Sequence, residues 1–144
     1  MFSKSCEYGI KAMLYVASQS LQSRRVKVGE IAGNSGSPEA FTAKLLGTMK
    51  RKKLINSQTG PVGGFYLERE QMKAIKLSQI VSAIDGDSVY NGCGLGLEQC
   101  DKSNPCPLHH QFAHIRNELK TMLENTSLFD IAEKIAAGEV SLIR

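Results

Sequence analysis

No apolar run in this chain approaches the roughly 18 residues that a membrane-spanning helix requires. The opening Met1-Phe2-Ser3-Lys4 begins no signal peptide. Internal repeats and low-complexity tracts are also missing, and so is any nucleophile–base constellation of the kind an enzyme uses. These absences predict a cytoplasmic protein that does not engage membranes, and they argue against catalysis. Cysteine is scarce, with four among 144 residues. In a reducing compartment, metal ligation or redox chemistry is a better expectation for them than disulfides. The length fits one domain, or a small domain with an extension, and 42% hydrophobic content is average.

What is present is unevenly spread. Residues 1–75 carry 12 Lys/Arg against 5 Asp/Glu, whereas residues 76–144 carry 6 against 9. The basic half suits a polyanionic partner; the acidic half holds three of the four cysteines.

Hydrophobic spacing predicts a mainly α chain with a small β-hairpin. Ile10, Met13, Leu14 and Ala17 fall at helical intervals and place a first helix over 5–20. After the polar stretch Gln22–Lys27, Val28–Ala32 reads as a short second helix ended by Gly33-Asn34-Ser35-Gly36. Ser37-Pro38 reads as the cap and first residue of a third helix, with Phe41, Leu45 and Met49 on its inner face. Leu54–Gln58 and Gly64–Glu68 read as strands around a glycine-rich tip. Further helices are expected over Ile75–Ile84, about 107–124 and about 128–137.

Three helices and a hairpin in this order make a winged helix-turn-helix domain over residues 1–75. The first turn of its third helix, Ser37, Pro38, Glu39, Ala40, Thr42 and Ala43 with Lys44 next, would face base edges of duplex DNA. Gln58, Thr59, Gly60 and Gly63 form the wing, within reach of the backbone or minor groove. Lys50, Arg51, Lys52 and Lys53 would add attraction common to all sequences.

Residues 76–144 open on a loop, 87–107, containing Cys93-x6-Cys100-x5-Cys106-x2-His109. Thiolates are soft ligands that favour zinc or iron–sulfur clusters, and the spacing matches neither paired zinc knuckles nor ferredoxin runs. His109 is the expected nitrogen ligand, with His110 and His114 as alternatives. Pro105 and Pro107 would set Cys106 at the start of the long helix, whose positive end favours a thiolate. Cys6, in an apolar helical context, reads as a small buried hydrophobe.

The pairing of the glycine-rich wing Gly60-Pro61-x-Gly63-Gly64-Phe65-Tyr66-Leu67 with the three cysteines resembles the bacterial winged-helix regulators of the IscR and NsrR types. Glu7-Tyr8-Gly9-Ile10-Lys11-Ala12-Met13-Leu14, Gly29-Glu30-Ile31-Ala32 and Lys44-Leu45-Leu46 extend the resemblance over nearly the whole chain. It implies a homodimer through the long C-terminal helix, striped by Phe112, Ile115, Leu119, Met122 and Leu123, binding a near-palindromic operator. It also implies an iron–sulfur cluster, 2Fe-2S or else 4Fe-4S, on Cys93, Cys100 and Cys106. The fourth ligand would be His109 or, as in some relatives, a carboxylate placed like Glu7. One departure stands out: the IscR type has a glutamate in the third helix where this chain has Ala43.

Overall fold

The computed structural model describes all 144 residues. Helix α1, Lys4–Ser20, starts at Ser3, whose Oγ accepts from the Cys6 amide at 3.0 Å. The Ser3 amide in turn donates to Asp85 Oδ2 at 3.0 Å, tying the start of α1 to a distant part of the chain. Helix α2, Val28–Ser35, ends on Gly36 in the left-handed conformation (φ 66°), the sharp turn that a helix-turn-helix needs.

Helix α3, Glu39–Arg51, begins two residues after Ser37, which is not its cap. Pro38 occupies the cap position, and the Ser37 hydroxyl instead pairs with Thr42 Oγ1 at 2.5 Å. The Thr42 hydroxyl donates to the Pro38 carbonyl at 2.9 Å. A local hydroxyl pair has thus displaced the expected cap.

Strands β1, Asn56–Gln58, and β2, Gly64–Tyr66, pair antiparallel with Ser57 opposite Phe65. Leu54 and Ile55 are buried ahead of the strand and do not extend it. The other side of β2 meets Val26: Phe65 N donates to Val26 O at 2.7 Å, and Val26 N to Phe65 O at 3.1 Å. Gly64 permits that approach, because a Cβ there would lie 2.7 Å from the Val26 carbonyl oxygen.

The single helix expected over Ile75–Ile84 is preceded by another, so that α4 spans Arg69–Ala74 and α5 spans Leu77–Asp85. The break is stabilised from afar: Leu77 N donates to Thr126 O at 2.9 Å and Leu128 N to Ile75 O at 3.0 Å. A short α6, Ser88–Asn91, leads into the cysteine loop. Helix α7, His109–Asn125, and α8, Leu128–Ala136, complete the chain. Ser127 and Asp130 form a reciprocal capping box at the start of α8.

The core is one cluster of 21 buried residues centred on α1, which packs against α2, α3, α5 and α8. Met13, Val16, Ile31, Leu46 and Met49 come from the N-terminal half; Ile80, Leu123 and Leu128 come from the other.

Candidate nucleic-acid interface and cysteine site

Burial of Leu45, Leu46 and Met49 turns the opposite side of α3 to solvent. That side carries Glu39, Ala40, Ala43 and Lys44, with Pro38 at its head, all exposed. Thr42, expected among them, is 0% exposed and serves the turn; Ser37 is half-buried beside it. The exposed face of α3 is therefore narrower than its sequence suggests.

Lys50, Arg51, Lys52 and Lys53 lie exposed at the far end of α3. On the wing, Gln58, Thr59 and Gly60 are exposed, while Gly63 is buried. A Cβ on Gly63 would come within 2.1 Å of the Gln58 carbonyl oxygen, so its part is to close the turn. Sequence reasoning missed three cations beside the wing. Arg24, Arg25 and Lys27 are exposed around Val26, which the hairpin recruits. Lys27 Nζ donates to the Gly60 carbonyl at 3.2 Å, and the Arg25 guanidinium sits 4.6 Å over the Tyr66 ring. The run Arg24-Arg25-x-Lys27 was the available signal, but only pairing across the hairpin gives it a place.

Arg24 also belongs to a buttress between α1 and α2. Tyr15 Oη donates to Glu30 Oε2 at 2.7 Å, and Arg24 Nη2 to Glu30 Oε1 at 3.0 Å. The Tyr15 hydrogen bond, helped by Arg24, holds the Glu30 carboxyl below its usual range.

In the second half, Cys93, Cys100 and Cys106 are half-buried and free of disulfides. The long helix starts at His109, three residues after Cys106, so Cys106 does not sit at its N-terminus. His109 occupies that first turn, is 6% exposed, and places Nδ1 3.4 Å from Cys100 Sγ. Arg116 Nη2 donates to the same sulfur at 3.1 Å. The Cys93 thiol is held below its ordinary value, first by the Leu95 and Leu97 backbone amides, with Cys106 and Arg116 adding to the effect. Cys100 and His109 thus stand as a pair, and no three side chains converge in a metal-holding group.

His110 and His114 are exposed, the His110 ring edge-on to His109 at 5.3 Å. Glu7 lies on α1, 3.2 Å from Lys4 Nζ. Cys6 is fully buried, its thiol pushed up to about 12 by burial and by the Asp85 carboxylate. Three reduced thiols and an imidazole are a fitting donor set for an iron–sulfur cluster or zinc once the loop draws Cys93 and Cys106 to the Cys100–His109 pair. On α7, Leu123 is buried, whereas Ile115 and Met122 are 54% and 51% exposed.

A tight turn into a helix with one exposed face, a glycine-closed wing and cations flanking both define a winged-helix DNA-binding regulator. Comparison with known proteins agrees. Residues 2–134 match the family model Rrf2, described as an iron-dependent transcriptional regulator. The chain belongs to the Rrf2 family. It is 29% identical, over 91% of its length and 90% of the relative's, to a putative HTH-type transcriptional regulator of Aquifex aeolicus. To the HTH-type transcriptional regulator IscR of Yersinia pestis it is 27% identical, over 93% of this chain and 80% of that one. Its fold is similar to that of CymR, the global cysteine regulator of B. subtilis, with a TM-score of 0.71 at 21% identity, covering 96% and 97% of the two chains. The relatives are transcriptional regulators, and no helix here is long and apolar enough to cross a membrane.

Proposed function

We propose that this transcriptional regulator changes its operator affinity with the state of an iron–sulfur cluster held by Cys93, Cys100, Cys106 and His109. The observation that carries the reading is the approach of His109 Nδ1 to Cys100 Sγ at 3.4 Å, made from the first turn of the longest C-terminal helix. A thiol and an imidazole, drawn from a loop and from a rigid element, form half of a mixed sulfur–nitrogen donor set. When bound, the cluster supplies a redox-active, nitric-oxide-reactive and charged centre. The chain's own residues do the rest.

Ile115 and Met122, exposed on the outer face of α7, form the surface by which two copies associate, with Leu119 at its edge. Closure of the loop on its ligand shifts α7 and with it the spacing of the two reading helices. That coupling requires the centre to interact differently with two dimer arrangements. Pro38, Glu39, Ala40, Ala43 and Lys44 then read bases of a near-palindromic site. Lys50, Arg51, Lys52, Arg25, Lys27 and the wing tip Gln58–Gly60 hold phosphates.

A second reading keeps the regulator and makes the loop a thiol switch. The lowered Cys93 thiol beside Cys106 favours it, since thiolates are the form that oxidants attack. Oxygen-free purification separates the two. The cluster reading expects a coloured protein containing iron and sulfide, whose visible absorbance is lost in Cys93→Ala, and operator binding that differs between filled and emptied forms. Colourless protein with intact thiols, or operator binding indifferent to the centre, overturns it.

A further inference from the structure

Arg116 follows His109 by seven residues on α7, two turns along, so both side chains leave one face of the helix. That face meets Cys100, which receives the Arg116 Nη2 hydrogen bond at 3.1 Å while His109 Nδ1 lies 3.4 Å away. Arg116 is half-buried and joins none of the four ion pairs of the chain, although this half is rich in carboxylates. Its side chain has one hydrogen-bond acceptor, the sulfur.

A guanidinium is always charged and carries five donors. A neutral thiol is a weak acceptor for it, whereas a thiolate gives a charge-assisted bond. The surrounding loop supplies no surplus cation, since Glu98 and Asp101 outnumber Lys102. Three thiolates closing on a centre would deepen that negative charge, and Arg116 is the cation already in contact with one of them.

We infer that Arg116 is the charge-compensating and positioning residue of the cysteine site, holding Cys100 for ligation and offsetting the negative charge that the thiolates bring. The inference rests on reading the loop as a thiolate site, and adds to it a residue that is no ligand yet sets the affinity and potential of whatever is bound. It also joins the sulfur to the helix that carries Ile115.

Full-length wild type, Arg116→Gln and Arg116→Lys are compared in two measurements. In the first, Cd2+ is titrated into the reduced, cluster-free protein against a chelator. Losing one charge-assisted bond predicts about tenfold weaker binding in Arg116→Gln, with most of the affinity kept in Arg116→Lys. In the second, the midpoint potential of reconstituted protein is measured. Arg116→Gln should shift the couple about tenfold toward its oxidised, less negative form, about 59 mV for one electron, and Arg116→Lys should restore it. Melting curves check folding, with Arg116→Met replacing the glutamine variant if that one fails to fold. Wild-type affinity and potential in the neutral variant, or equal losses in the lysine variant, overturn the inference. A wild type that takes up no cluster overturns the cluster reading alone, because the Cd2+ titration still decides the part played by Arg116.

Discussion

Helix α3 and the cysteine loop are segments of comparable length with opposite physical characters. Helix α3 anchors itself with Thr42, Leu45, Leu46 and Met49, all buried, so its outer face is fixed before any DNA arrives. From Gly92 to Leu108 no residue is buried, and Leu95, Leu97 and Leu108 stand 50%, 55% and 41% exposed. The first buried residue beyond the loop is His109. One region is ordered by burying apolar surface; the other has no buried residue to anchor it. The proposed switch needs this contrast, since a rigid output reports faithfully only if the input segment has more than one arrangement to choose from.

The sharpest test compares a deletion in each region. Leu46→Ala removes a fully buried side chain of α3 and should cost about 2–5 kcal/mol of unfolding free energy. Cys100→Ala in the cluster-free protein should stay within about 0.5 kcal/mol of wild type, because the thiol sits on a segment with no packed core. Urea melts of both variants check this. A loop variant that destabilises as much as the core variant breaks the comparison.

Glycines repeat it on a smaller scale. Gly64→Ala forces a Cβ against the Val26 backbone at a φ of 146°, for a cost of about 1–3 kcal/mol and a disordered wing. Gly96 also has positive φ, but a Cβ there meets nothing within 4 Å. Gly96→Ala therefore carries the backbone strain of about 1–2 kcal/mol without the clash and should lower the melting midpoint less than Gly64→Ala, and operator affinity should fall only in Gly64→Ala.

The same contrast explains how much could be read from the sequence. The first three helices and the hairpin were legible because local spacing and turn chemistry agree with the tertiary structure. Where they disagree, the reading slipped. Ser37 has the residue type of a cap, but the side chain of Thr42, five positions on, captures its hydroxyl. Thr42 itself looked like a base-reading residue because periodicity does not reveal that a polar side chain faces inward. Helix α4 was hidden because its boundary with α5 is set by backbone bonds to Thr126 and Leu128, more than forty residues away. In the loop, cysteine spacing pointed to soft-ligand chemistry, but not to the pairing of Cys100 with His109, which depends on where α7 begins. The hydrogen bond from Arg116 to Cys100 was invisible for the same reason.

Within the DNA-reading half, specific and general contacts should separate. Glu39→Ala or Lys44→Ala should alter preference among operator variants by about 1–3 kcal/mol at the affected base pair. Lys52→Ala should weaken all duplexes alike and reduce the salt slope of binding by about one. Affinity measured on a panel of duplexes at several salt concentrations gives both readouts. If α3 variants never change sequence preference, the surface fixed by the core is not the one that reads DNA.

The smallest expected effect concerns the buttress that seats α2 against α1. Glu30 accepts from Tyr15 and Arg24, and its carboxyl is depressed in the folded chain relative to the unfolded one. The folded state therefore binds the Glu30 proton less readily than the unfolded state does. Its contribution is complete above the ordinary glutamate range and declines as pH falls through that range toward the lowered folded value. The group is partly exposed, so solvent screening keeps the effect below about 1 kcal/mol. Glu30→Gln should accordingly lower stability slightly at neutral pH and converge with wild type in acid. Gly96→Ala changes no ionisable group and should run parallel to wild type over the same acidic range. Convergence in the α2 variant alone would assign the acid-sensitive part of the fold to the DNA-reading half. If wild type and Glu30→Gln differ by the same amount at every pH, the carboxylate's charge plays no part in holding α2 in place.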